Sequence, residues 1–215
     1  YNYFSEISTF AFNFPFLTFI KLIVFTRKVY TANSKKKILF LYKSGGMEDI
    51  YSTYYKKNPH FEIYVLPRKH IKFIFKYFFK SQQNNEILTK FNVDLELIKK
   101  RKLYENFLTK ILKYYKLILN ITIISNFSFF NFEHWDLAIA AKKNQIKFVT
   151  LHKECLKSKG KRLVDLEIYK KYINKYQGDK IIVYNEDEKN IMASSKIIDK
   201  KNIYVTGCAR LDYCF

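Results

Sequence analysis

The residues best equipped for chemistry in this sequence stand just after short apolar runs. His152-Lys153-Glu154 follows the run from Ile146 to Leu151 and sets an imidazole, a cation and a carboxylate side by side. Such a trio can supply a general base, a phosphate ligand and an orienting carboxylate. It can equally be loop chemistry, with His152 bonded to a loop carbonyl and Lys153 and Glu154 in water. A second group, Gly207, Arg210 and Asp212, follows the run that ends at Thr206. Here arginine either offsets phosphate charge or pairs with the aspartate across the loop. Gly45-Gly46 follows a third run and could bring backbone amides close to a phosphate. Its pattern is neither GxGxxG nor a P-loop, so a plain strand-to-helix turn also accounts for it. Arg68 and His70, past the run from Phe61 to Leu66, complete the phosphate candidates.

Metal chemistry is not expected. His152 and Cys155 have no second pair at metal-ligand spacing, and Cys208 and Cys214 have no histidine near them. Glu186-Asp187-Glu188 has the appearance of the acidic metal motif of some sugar transferases. Behind an Asn185 cap, however, acidic residues in a first helical turn are what the helix dipole favours. No cofactor is called for either.

These residues need a scaffold, and the hydrophobic pattern supplies one. From Lys37 onward short apolar runs alternate with longer segments of helical periodicity, the α/β signature. Strands are expected at Ile38 to Leu41, Phe61 to Leu66, Ile121 to Ser125, Ile146 to Leu151, Ile181 to Tyr184 and Asn202 to Thr206. Helices are expected after Gly46 through Tyr55, at Ile71 to Phe78, around Tyr104 to Ile118, at Phe132 to Asn144, from about Arg162 to Tyr176 with Gly178 as its cap, and after Asn185. Residues 81–100 are polar and carry no clear assignment. Right-handed crossovers would build a Rossmann-like, doubly wound, mainly parallel sheet. Ligands bind such sheets beyond the carboxyl ends of the strands, where all the segments above lie, although the sequence leaves the order of the strands open.

Residues 1–34 form a different kind of segment. Between Ile7 and Phe25 only Lys21 is charged, amid Phe10, Phe12, Phe14, Phe16 and Phe19. Arg27, Lys28 and Lys35 to Lys37 then provide a basic flank. An apolar aromatic helix lying on an anionic membrane surface, a spanning helix, and a helix packed against other protein all fit this pattern. The division expected is residues 1–34 as a membrane-associating or interfacial segment and 35–215 as the α/β domain.

The charge bears on partners. Lysine and arginine number 39 against 19 acidic residues, a formal net charge of +20. That balance normally points to nucleic acid or an anionic membrane. Only five of the basic residues are arginines, the side chain that nucleic-acid readers rely on. Lysine, isoleucine, phenylalanine, tyrosine and asparagine make up more than half the chain, as A/T-rich codons dictate. Nucleic acid is therefore not an expected partner. Three cysteines without framework spacing fit a reducing compartment.

Two stretches carry a family likeness: Val149-Thr150-Leu151-His152-Lys153-Glu154-Cys155-Leu156 and Ile203-Tyr204-Val205-Thr206-Gly207-Cys208-Ala209-Arg210-Leu211-Asp212. With the segment Gly178-Asp179-Lys180-Ile181-Ile182-Val183-Tyr184-Asn185 between them, they resemble bacterial surface-carbohydrate biosynthesis proteins. These are the CDP-glycerol glycerophosphotransferase-like and capsule-polysaccharide transferases, which have a two-domain GT-B architecture. The likeness covers roughly Lys37 to Asp212, and Ala209 stands where the family usually has proline. It implies a transferase of sugar or polyol-phosphate units from a nucleotide-activated donor to a glycan or lipid-linked acceptor. This chain would be the N-terminal, acceptor-side half of a truncated enzyme, inactive alone and peripheral at the inner face of the cytoplasmic membrane. His152 or Glu154 would then act as base, with Lys153 and Arg210 offsetting phosphate charge. A non-catalytic nucleotide-sugar-binding or assembly module is the main competing reading.

Overall fold

The strand Ile38-Leu39-Phe40-Leu41 has no polar face, and the fold shows why. In the computed structural model, which describes residues 14–30, 36–43, 50, 60–79, 94–128, 131–152, 164, 167 and 175–207, it lies inside a seven-stranded sheet. The strands are β1 (Arg27–Tyr30), β2 (Lys37–Tyr42), β3 (Glu62–Pro67), β4 (Ile123–Asn126), β5 (Lys147–Leu151), β6 (Lys180–Val183) and β7 (Ile203–Val205), in the order β1-β3-β2-β4-β5-β6-β7. All pairings are parallel except β1 with β3. A parallel sheet covered on both sides buries successive side chains on opposite faces. Leu39 and Leu41 therefore join one core with Tyr64, Leu66, Ile124 and Phe148, whereas Ile38 and Phe40 join another with Ile63, Val65 and Phe127.

The larger core is roofed by α1 (Pro15–Phe25), α2 (Arg68–Phe78), α3 (Leu95–Leu119) and α4 (Trp135–Lys143). A third cluster under α5 (Glu186–Ser194) joins Ile181, Val183 and Ile203 to Met192, Ile197 and Ile198. α3 begins earlier than its apolar stripe suggests, because Asp94 accepts hydrogen bonds from the Glu96 and Leu97 amides at 2.9 and 3.0 Å. It ends where Asn120 turns left-handed at φ 55°. Part of the segment without a sequence assignment, residues 95–100, is thus its first turns. The helices expected through Tyr55 and over residues 162–176 lie largely outside the described residues.

The composition shift near residue 34 does not coincide with a break in the fold. β1, read from sequence as a basic flank, is an edge strand whose Arg27 and Lys28 pair in register with Val65 and Tyr64. α1 buries Thr18, Phe19 and Leu22 against the domain. Phe19 meets Tyr114 and Tyr115 on α3, and the Thr26 hydroxyl lies 2.8 Å from that of Tyr115. Among the described residues no helix is long and apolar enough to cross a membrane.

Glycines divide by mechanism. Gly207 has φ 76°, in the left-handed region that costs other residues dearly. Gly178 does not share that conformation, so the expected left-handed cap is not its role. It is needed because the Tyr176 ring lies where a Cβ would go. That ring is not free to swing away, since its hydroxyl sits 2.9 Å from Thr150 Oγ1 and 3.1 Å from the Lys180 carbonyl. Gly178→Ala is expected to destabilise by about 1–3 kcal/mol through overpacking. A urea midpoint unchanged from wild type would show that the ring relaxes without cost.

Candidate functional site

The strand order supplies what the sequence leaves open. From β2 the chain crosses to β3 on one side and, after α2 and α3, to β4 on the other. The carboxyl ends of β2 and β4 are therefore the topological switch point, where the loops diverge and leave a crevice. Lys43 leaves β2 there, and Asn126 closes β4. Arg68 and His70 follow β3, His152 follows β5 and Gly207 follows β7. Arg68 and His152 are separated by three strand spacings, about 14 Å. They belong to two neighbourhoods on one edge and not to one cluster. Gly45, Gly46, Lys153, Glu154, Arg210 and Asp212 lie outside the described residues.

The His152 neighbourhood is closed. The residue is 0% exposed, and its amide donates to the Ile182 carbonyl at 2.7 Å. Its Nε2 stands 3.6 Å from Glu188 Oε1, itself on a residue 1% exposed. The Asn185 side chain accepts from the Glu188 amide at 2.8 Å, so the cap read from the acidic triplet is present. What that reading missed is the inward carboxylate: Glu188 lies four residues before Met192 on the buried face of α5. His152 thus ties the end of β5 to β6 and α5. A side chain so enclosed is suited to positioning its loop and not to taking a proton from substrate itself.

Between the two neighbourhoods runs a buried polar network. Thr150 Oγ1 donates to Asn126 Oδ1 at 2.6 Å, and Asn126 Nδ2 donates to the Ser128 carbonyl at 3.0 Å and lies 2.8 Å from His134 Nδ1. Because the amide is the donor, Nδ1 is the acceptor and the His134 proton resides on Nε2. Burial, aided by the charge of Arg68, pushes the His134 pKa down to about 4 despite neighbouring Glu133. The ring is neutral at pH 7.

Glu133 and His134 occupy a 3-10 turn leading into α4. The Glu133 carboxylate pairs with Arg68 Nε at 2.5 Å. Burial works to raise this carboxyl. The charges of His134 and Arg68, with the Arg68 hydrogen bond, outweigh it and hold the group below the usual carboxylate range. At neutral pH, where His134 is uncharged, Arg68 is the effective partner. One turn on, Arg101 grips Asp136 through Nη2 at 2.8 Å and Nε at 3.3 Å.

His70 is held differently from Arg68. Its ring stacks on Phe25 at 4.3 Å, and burial, with the nearby charges of Lys69 and Lys21, pushes its pKa down to about 4. A neutral stacked imidazole brings no charge to an anion. Sequence reasoning passed over Glu133, His134, Thr150 and Tyr176. Glu133-His134 was available as a signal, being a charged and a polar residue just before the apolar helical positions Trp135, Leu137, Ala138, Ala140 and Ala141. Among the described residues no three His, Cys, Asp or Glu side chains are grouped to hold a metal ion. Compared with protein-family models and with curated proteins, the chain matches none.

Proposed function

We propose that the chain is the acceptor-side, Rossmann-like half of a GT-B transferase that moves sugar or polyol-phosphate units from a nucleotide-activated donor in the synthesis of a bacterial surface polysaccharide. The observation that carries the reading is the gathering of ionic and hydrogen-bonded side chains along the carboxyl edge of a parallel sheet, around a switch point between β2 and β4. The resemblance around His152 and Arg210 supplies the chemistry. The burial of His152 against Glu188 favours Glu154 as the base that takes the acceptor hydroxyl's proton, with His152 positioning the loop that carries it. Lys153 and Arg210 would offset charge on the transferring or leaving phosphate, with Gly207 and Asp212 shaping the turn. The donor would be held by a second domain, and the reaction would use no metal or cofactor.

Peripheral attachment to an anionic membrane accompanies this reading. α1 leaves Phe16, Leu17, Ile20 and Val24 exposed on the side away from the core, in a chain of net charge +20. A non-catalytic nucleotide-sugar-binding module is the alternative that the enclosure of His152 favours. The two separate in one assay, transfer of label from a panel of nucleotide-activated donors into lipid-extractable product by membranes containing the protein together with its donor-binding domain. Glu154→Gln is expected to cut turnover by about 10²- to 10⁴-fold, the usual worth of a general base. His152→Ala should lower turnover less and shift its pH profile. Undiminished transfer in Glu154→Gln and Arg210→Ala alike would remove the assignment, and donor binding without any turnover would establish the module.

A further inference from the structure

The register that pairs Tyr42 with Pro67 sends Lys43 and Arg68 out of the sheet from adjacent strands. β2 lies between β3 and β4. Arg68, on the β3 side, therefore crosses the end of β2 to reach Glu133 in the turn after β4. Glu133 is a firm anchor, since its side chain is 6% exposed and its carbonyl accepts from the buried Tyr104 hydroxyl at 2.9 Å.

Only one edge of the guanidinium is used. Nε donates to Glu133, while the two Nη groups, with four N–H donors between them, have no protein partner among the described residues. The Arg68 side chain keeps 25% exposure, so this free edge is accessible. Lys43 and Lys69 are exposed and form no ion pair among the described residues. Nor do Arg68 and Lys69 serve their own helix. They stand in the first turn of α2, which has no acidic residue and no side-chain cap, where cations oppose the helix dipole.

We infer that Arg68, held in place by Glu133, forms with Lys43 and Lys69 a binding site for a phosphoryl group at the carboxyl end of β2. With Glu133 counted against them, the three cations leave two net positive charges, the complement of a phosphomonoester dianion. Fixing Nε leaves the Nη fork for two parallel bonds to phosphate oxygens, the geometry arginine favours. Glu133 is a positioning residue, acting on the ligand through Arg68. The site lies three strands from His152 and does not depend on the transfer chemistry, so loss of that reading would leave it standing.

The test is titration of the full chain with inorganic phosphate and with a nucleoside 5′-monophosphate, followed by calorimetry against chloride at equal ionic strength. Lys43→Gln, a change at an exposed side chain, is expected to weaken binding about three- to fivefold. Arg68→Lys keeps the charge but loses the fork and should cost about tenfold. Glu133→Gln retains an acceptor for Nε and should bind at least as tightly as wild type, whereas Glu133→Ala frees the guanidinium and should bind more weakly. That contrast is one a purely structural glutamate would not produce. If Glu133→Ala does not fold, Lys43→Gln and Arg68→Lys decide the matter. Tighter binding of the nucleotide, with the same losses, would make a nucleotide phosphate the occupant; equal affinity would make the phosphoryl group alone the recognised element. Phosphate binding no stronger than chloride, or wild-type affinity in both Lys43→Gln and Arg68→Lys, would overturn the site.

Discussion

Arg101→Met is expected to lower the unfolding free energy by about 3–5 kcal/mol, the usual cost of leaving a buried charge without its partner. Asp136 is 1% exposed, and burial raises its carboxyl even with Arg101 beside it. The guanidinium meets both carboxylate oxygens, which is the geometry that makes such a pair worth its desolvation. With methionine in its place, Asp136 must be protonated, hydrated or expelled, and each route strains the junction of α3 and α4. The double variant Arg101→Met with Asp136→Leu removes both charges and should recover most of the loss, because an apolar pair of similar volume carries no desolvation cost. Urea unfolding of the four proteins in the cycle measures this. A single-variant loss under about 1 kcal/mol would show that the pair is effectively solvated.

The second large effect is loss of stability in mild acid. His134 has a folded-state pKa of about 4, whereas an unfolded histidine titrates near 6.5. Between those values the unfolded chain binds a proton that the folded chain refuses, so stability falls as pH falls. The contribution is complete above about pH 6.5 and is lost progressively toward pH 4, amounting to as much as about 3 kcal/mol. His70 is depressed to about 4 as well and acts in the same window. Glu133, held low by Arg68, loses its contribution only at still lower pH, below the ordinary carboxylate range. Asp136 acts in the opposite sense, because its raised carboxyl gains a proton earlier in the folded state than in the unfolded. Urea midpoints from pH 7 to pH 4 for wild type and His134→Gln separate these groups. The variant should show a shallower slope across the histidine window, and parallel curves would assign the acid lability elsewhere.

What could be read in the sequence was local, and what could not was a matter of distant partners. Apolar runs announced β2 and β3, which are buried on both faces, and also β5 and β6, whose buried positions alternate with exposed and half-buried ones. β1 was missed because Arg27-Lys28-Val29-Tyr30 is an edge strand, and edge strands carry the charges that otherwise argue against a strand. The edge of the sheet that gathers polar residues was legible from strand ends alone. Its division into an Arg68 neighbourhood and a His152 neighbourhood was not, since it follows from the placement of β2 between β3 and β4. The decisive partners are remote in sequence: Arg68 with Glu133, Arg101 with Asp136 and His152 with Glu188. Nothing in a lone glutamate says whether its carboxylate faces water or a histidine. The cap at Asn185 was readable because its bond spans only three residues.

The place of α1 in the fold has a further consequence for how the chain is made. Its contacts with α3 include a hydroxyl pair 89 positions apart, and β1 waits for β3 before it has a neighbour. A ribosome adding about 5–20 residues per second needs on the order of ten seconds to deliver that partner. Throughout that interval α1 emerges with its core-facing Phe19 and Leu22 as bare as its outward Phe16 and Ile20. α1 is thus made well before the partners that hold it in the fold, and the nascent protein presents an aromatic helix for whatever surface reaches it first.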